Sequence, residues 1–289
     1  MRSTCRVVVA SVVLCTALAA CTADPGTPPP APSPAPPASP TEPAAATISP
    51  TATASAPSAA GGTERGSPPT GAAAGAPVVL LDAGHNGGNA THPSAVHRPV
   101  PDGRGGTKPC NTTGTATDAG YPEHAFTFDV TRRVTARLVA AGVRVMSTRP
   151  DDGGVGPCVD ERGRAGGVAD ADAVVSIHAD GSAASHQGYH VALSAPPLNP
   201  AQSGPARGLA RDVRDAMRAA GFPDSDYAGR DGLAPRSDLA GLNLSSRPAV
   251  LVECANMRNP REAVMVSSPA GRERYAAAIS AGILAFLAH

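Results

Sequence analysis

Beyond residue 77 the chain alternates short, unbroken apolar runs with stretches of four-residue periodicity. The run 78–81 stops abruptly at Asp82-Ala83-Gly84-His85. Val174-Val175-Ser176-Ile177 stops at His178, and Val250-Leu251-Val252 stops at Glu253. Apolar runs of this length, bounded by turn residues, read as strands buried on both faces. Residues 143–146 and 188–193 read as two further strands. After Pro122, Phe126, Val130, Val134 and Leu138 mark one face of an amphipathic helix that Gly142 ends. Helices are also predicted over 160–168, over 203–220 with Leu209, Val213 and Met217 on one face, from Pro260, and over 270–287. In the last of these Tyr275, Ile279, Ile283 and Phe286 face inward. Residues 223–248 read as irregular, with a short strand near Leu239. The alternation predicts an α/β fold, a three-layer sandwich with a largely parallel central sheet flanked by helices. Residues 86–120 are polar and rich in Gly, Pro, Thr and Asn, which predicts a long functional loop or lid.

The first 76 residues follow a different logic. Arg2 and Arg6 precede an apolar run over 7–20 that is too short and wrongly flanked to span a membrane. It reads as a secretory signal, 1–21, ending in Leu18-Ala19-Ala20-Cys21. Those four residues resemble a bacterial lipobox, with Cys21 the lipidated anchor; the alternative is a plain cleaved signal. Residues 22–76, dominated by Pro, Ala, Ser, Thr and Gly, have too little apolar bulk to offset the entropy of ordering and read as a tether. Residues 77–289 suffice for one well-buried domain. The expected location is therefore exported, at the outer face of the cytoplasmic membrane, or else secreted.

Composition narrows the function further. Net charge is zero and no basic cluster with aromatics occurs, which argues against nucleic acid as a partner. A monomer is expected. Trp is absent, which argues against a carbohydrate module built on stacking platforms. Cys110 and Cys158 both lie in Gly/Pro/Asp-rich loops and are the expected disulfide in an exported chain; Cys254, inside a strand, is expected free and buried.

Three strands that end in His85, His178 and Glu253 point to one site, because ligands of open α/β sheets bind beyond the strands' carboxyl ends. Glu123 lies three positions before Phe126, on the apolar face of its helix. There it must be paired, protonated or metal-bound; the alternative is a water-exposed first-turn glutamate. His85, Glu123 and His178 form a catalytic zinc set, with three protein ligands and one position open for water. His190, in a predicted strand, is the competing histidine. Glu253 shares a face with Leu251 and suits a general base for a zinc-bound water, with Asp180 or Asp82 next in line. The competing reading gives Glu253 a structural partner, Arg149 or Arg162.

These residues resemble a known family. LLDAGHNGG, Glu123 before its helix, VRVMSTR at 143–149, SIHAD at 176–180 and PAVLVECANMRNPRE at 248–262 occur in the order seen in zinc-dependent N-acetylmuramoyl-L-alanine amidases of the type 3 family. The resemblance covers about residues 78–287. It implies His85, Glu123 and His178 as ligands of one Zn2+, Glu253 as the catalytic residue, and peptidoglycan or muropeptide fragments as substrate. The bond it implies is the amide between the N-acetylmuramic acid lactyl group and L-alanine of the stem peptide. The chain departs from the family pattern at Asp180, usually Asn, at Gly166-Gly167, usually Ala-Asn, and at Cys254, usually Gly. A zinc carboxypeptidase acting on stem peptides and a non-catalytic muropeptide-binding lipoprotein are the two competing functions.

Overall fold

The computed structural model describes residues 75–289, so the expected signal, the expected anchor Cys21 and nearly all of the expected 22–76 tether lie outside the described residues. In chain order the elements are β1 (Val78–Ala83), a 3-10 turn (Gly87–Thr91), α1 (Pro93–Val96), β2 (Pro99–Pro101), β3 (Thr107–Pro109), α2 (Glu123–Ala140) and β4 (Arg144–Ser147). There follow α3 (Val159–Val168), β5 (Ala173–Asp180), β6 (His190–Ser194), α4 (Pro200–Ala219) and β7 (Leu233–Arg236). The chain ends with α5 (Ala240–Asn243), β8 (Ala249–Asn256), α6 (Pro260–Ser267) and α7 (Pro269–Leu287).

Six strands form one sheet in the order β4-β1-β5-β8-β6-β7, and only the β8–β6 pairing is antiparallel. This is the three-layer α/β sandwich with a largely parallel sheet. Side chains alternate between faces with the strand period of two. Val79, Leu81, Val175, Ile177, Val250 and Val252 enter the larger core, under α2, α4 and α7. Each such fully buried side chain contributes about 1.5–3 kcal/mol of hydrophobic stabilisation. Val78, Leu80, Val174 and Ala249 face the other way, into a smaller cluster that includes Leu242 of α5 and Ala165 of α3. That second layer is thin, and its thinness leaves a cleft open over the ends of β5 and β8.

Two stretches differ from the sequence expectation. The strand placed near Leu239 is β7, three residues earlier, and Leu239 instead precedes the single turn α5. The strand carries Pro235 and pairs only on one side, as an edge strand can. Residues 86–120 are not a featureless lid. They hold two short helical turns and the β2–β3 hairpin, and are fixed to the body by a Cys110–Cys158 disulfide. Cys254 is free and buried.

Candidate active site

The site sits where β1, β5 and β8 end together. The Gly84 N–H donates to the Ile177 carbonyl at 3.0 Å, and His178 pairs in register with Glu253. Glu123, the first residue of α2, reaches both imidazoles. His85 Nε2 lies 3.1 Å from Glu123 Oε2, and His178 Nδ1 lies 3.0 Å from Glu123 Oε1. The three ligand atoms lie within 4.8 Å of one another. Two imidazole nitrogens and one carboxylate oxygen are the donor chemistry of a catalytic zinc site, so the residues fit the ion the sequence implied.

The surroundings hold this set in place. His85 Nδ1 faces the Thr112 carbonyl oxygen at 3.1 Å; a proton on Nδ1 leaves Nε2 free as a ligand. The Thr115 N–H donates to Glu123 Oε2 at 2.9 Å, and the Ala179 N–H donates to Oε1 at 3.1 Å. Burial opposes ionisation of Glu123, but the two imidazoles outweigh it and hold the carboxyl well below the usual range. Two glycines are required by close approach. A Cβ on Gly84 would meet the His178 ring at 2.3 Å, and one on Gly114, which has φ +80°, would stand 2.7 Å from Glu123 Oε2. His85 itself adopts φ 59°, a left-handed conformation costing a non-glycine residue on the order of 1 kcal/mol, which the surrounding contacts sustain.

Arg149 and Arg162 do not pair with Glu253. Arg162 binds Asp82 Oδ1 at 2.5 Å and the carbonyls of Ala83, His85, Gly156 and Pro157. Arg149 binds the carbonyls of Ala83, Asp151 and His124, and Asp152 Oδ1. Both arginines satisfy carbonyls that the strand end of β1 and its glycine loop leave unpaired, a demand that the polar loop sequences signal only in general terms. Asp82 is also spoken for. Burial raises its pKa, but Arg162, Ser176 Oγ and Thr148 Oγ1 bring it down to about 2. Thr112, Gly114 and Thr115, unremarkable in the sequence, close the ligand set from the 86–120 segment.

Glu253 occupies a different environment. It lines a cleft of about 480 Å³ together with His85, Glu123, His178, Asp180 and Leu251. Its Oε2 is buried without a hydrogen-bond partner among the described residues. Burial, then repulsion from Glu123 and Asp180, push its pKa well above the ordinary carboxylate value against a smaller pull from Arg236. Its carboxyl therefore has high proton affinity and one buried oxygen without a partner. His190 lies on β6 opposite Glu253 but outside the ligand cluster; its buried ring stands edge-on to Tyr227. His124 Nδ1 and His186 Nδ1 lie 2.8 and 3.2 Å from carboxylate oxygens of Asp152 and Asp226.

Comparison with known proteins agrees with the geometry. Residues 79–285 match the family model for N-acetylmuramoyl-L-alanine amidase. An N-acetylmuramoyl-L-alanine amidase of Mycobacterium tuberculosis is 49% identical over 211 residues, covering 73% of this chain and 86% of that protein. The crystal structure of the N-acetylmuramyl-L-alanine amidase Ami1 from Mycobacterium smegmatis is similar at 52% identity and TM-score 0.72, covering 73% of this chain and 97% of that one. Apo Ami1 from Mycobacterium abscessus gives 49% identity and TM-score 0.71 over 73% of this chain and 98% of that one.

Proposed function

The chain belongs to the N-acetylmuramoyl-L-alanine amidase family, and from that premise we propose that His85, Glu123 and His178 hold one zinc ion while Glu253 is the catalytic residue. The protein is a hydrolase of the peptidoglycan stem-peptide amide. The observation that carries the residue assignment is the convergence of three donor atoms within 4.8 Å in the cleft that Glu253 also lines.

Zinc held there by His85, Glu123 and His178 would supply Lewis-acid chemistry, bringing the pKa of a water toward neutrality. The chain's own groups do the rest. Glu253, ionised, accepts the proton of the water that attacks the lactyl carbonyl carbon. As the C–N bond breaks, it delivers that proton to the departing alanine nitrogen. A buried carboxyl with an oxygen that no other group occupies suits a group that must hold a proton between those two transfers. Glu123 stays ionised, and the Thr112 carbonyl keeps His85 in the ligating tautomer.

Mass spectrometry of muropeptides digested with the zinc-loaded protein tests the reading. Release of peptides with a free alanine amine, with the glycan intact, is the expected outcome. Loss of a terminal amino acid would make the protein a carboxypeptidase, and absence of any cleavage would leave a binding lipoprotein.

The domain 77–289 acts as a monomer carried by an exported lipoprotein in this reading. Residues 1–21 are its signal, Cys21 its lipid anchor and 22–76 its tether, supported by the lipobox-like Leu18-Ala19-Ala20-Cys21 and the Pro-rich composition. A polyproline-II chain covers roughly 3.1 Å per residue, so some fifty residues reach at most on the order of 150 Å into the wall. Among the described residues no helix is long and apolar enough to cross a membrane. Cys21→Ala should move the protein from the membrane to the soluble exported fraction with muropeptide cleavage unchanged. Wild-type protein found soluble, with another N-terminus, would refute the anchor.

A further inference from the structure

We propose that Lys108 binds a carboxylate of the stem peptide and so fixes which end of the cleft the peptide occupies. The proposal rests on the amidase reading and adds to it a substrate-recognition residue. Lys108 is the only lysine in the chain. It lies half-buried on β3 and lines the same cleft as the ligand set and Glu253. Its Nζ donates to one acceptor, the Asp238 carbonyl oxygen, at 2.7 Å. An ammonium carries three donors, so two remain uncommitted among the described residues.

The other cations around the cleft have no such surplus. Arg162 is spread over Asp82 and four backbone carbonyls. Arg236 grips both carboxylate oxygens of Asp238, at 2.7 and 2.6 Å. Arg104, in the β2–β3 turn, holds Asn243, Ser194 and the Pro196 carbonyl. That last anchor, together with the disulfide at Cys110, also fixes the strand that presents Lys108. A charge held on so constrained a support loses little freedom when a ligand arrives.

Charge then orients the substrate. In the uncleaved molecule the lactyl group is tied up as the amide, so the glycan half is neutral, whereas the stem peptide carries free carboxylates. Asp180, half-buried in the same cleft, is acidic and would repel those carboxylates. A peptide laid toward Lys108 meets the one lysine or arginine lining the cleft with uncommitted donors and leaves the neutral glycan on the Asp180 side. A compact ammonium with rotatable donors also tolerates the variable orientation of a peptide carboxylate better than a planar guanidinium would.

The test compares a muramoyl peptide whose carboxylates are all free with a set in which each is amidated singly. The quantity measured is kcat/KM of zinc-loaded wild type, Lys108→Arg and Lys108→Met; affinity for Glu253→Gln supplies a readout without turnover. One amidation should lower wild-type kcat/KM about fivefold, the scale of a single charge-assisted contact at a partly exposed site, and weaken Glu253→Gln binding to match. Lys108→Met should fall to that level on the free substrate and lose the discrimination, with unchanged zinc content; Lys108→Arg should keep part of it. Because there is no other lysine, acetylating folded wild type removes the same charge without a substitution and should give the same loss. Indifference of wild type to every amidation, discrimination that survives in Lys108→Met or acetylated protein, or an equal fall on all substrates would overturn the proposal. The last result would reduce Lys108 to a latch on Asp238. Cleavage of none of the substrates would instead overturn the amidase reading.

Discussion

The two halves of the cleft treat their carboxylates in opposite ways. On the β1–β5 side Glu123 is fully partnered, with an imidazole and a backbone N–H at each oxygen, and it is held ionised. On the β8 side Glu253 has a buried oxygen without a partner, two acidic neighbours and a raised proton affinity. Burial alone raises both; the partners decide the sign. In the proposed mechanism the comparison separates a group that stays charged and binds a cation from one that exchanges a proton.

The largest way to break this contrast is to remove an imidazole. His178→Ala takes one ligand and one of Glu123's partners at once. Zinc affinity should fall by more than about 100-fold, the upper end of what loss of an outer-shell partner costs, and activity should go with it. Metal analysis after dialysis checks this, and wild-type zinc content would remove His178 from the ligand set.

A smaller perturbation sharpens the same contrast. The disulfide lies two residues from Thr112, on the segment that closes the ligand half, whereas Glu253 stands on a central strand. With a sequence separation of 48 between its cysteines, the Cys110→Ser/Cys158→Ser variant should lose about 4 kcal/mol of stability in the chain-entropy model. Denaturant unfolding measures that loss. Zinc affinity should weaken in the same variant, while turnover per bound zinc stays near wild type. Unchanged stability and zinc affinity would show that the segment holds itself in place without the staple.

How much of this was readable in the sequence depends on how local the cause is. Strands buried on both faces announce themselves as unbroken apolar runs, so β1, β5 and β8 and the residues that end them were legible. The four-residue stripe of α2 placed Glu123 on the sheet side, where it is found. The hairpin and turns of 86–120 were not legible, because their order comes from distant contacts such as Arg104 with Asn243 and the disulfide. The same holds for Arg149 and Arg162. Which acceptors a buried guanidinium satisfies depends on the carbonyls that tertiary folding brings to it. The sequence misplaces the edge strand β7 because four residues containing a proline carry little strand signal.

The central claim, a cation-binding half and a proton-transferring half in one cleft, is tested most directly by Glu253→Gln, with zinc content and turnover measured on the same sample. The substitution keeps the shape and removes the proton acceptor. The account predicts one zinc per chain as in wild type and a fall in kcat of about 10²–10⁴-fold. It also predicts that the decline of wild-type kcat/KM toward low pH, where Glu253 becomes protonated, is absent from the residual activity of the variant. Turnover near that of wild type, or loss of zinc together with turnover, would contradict the division.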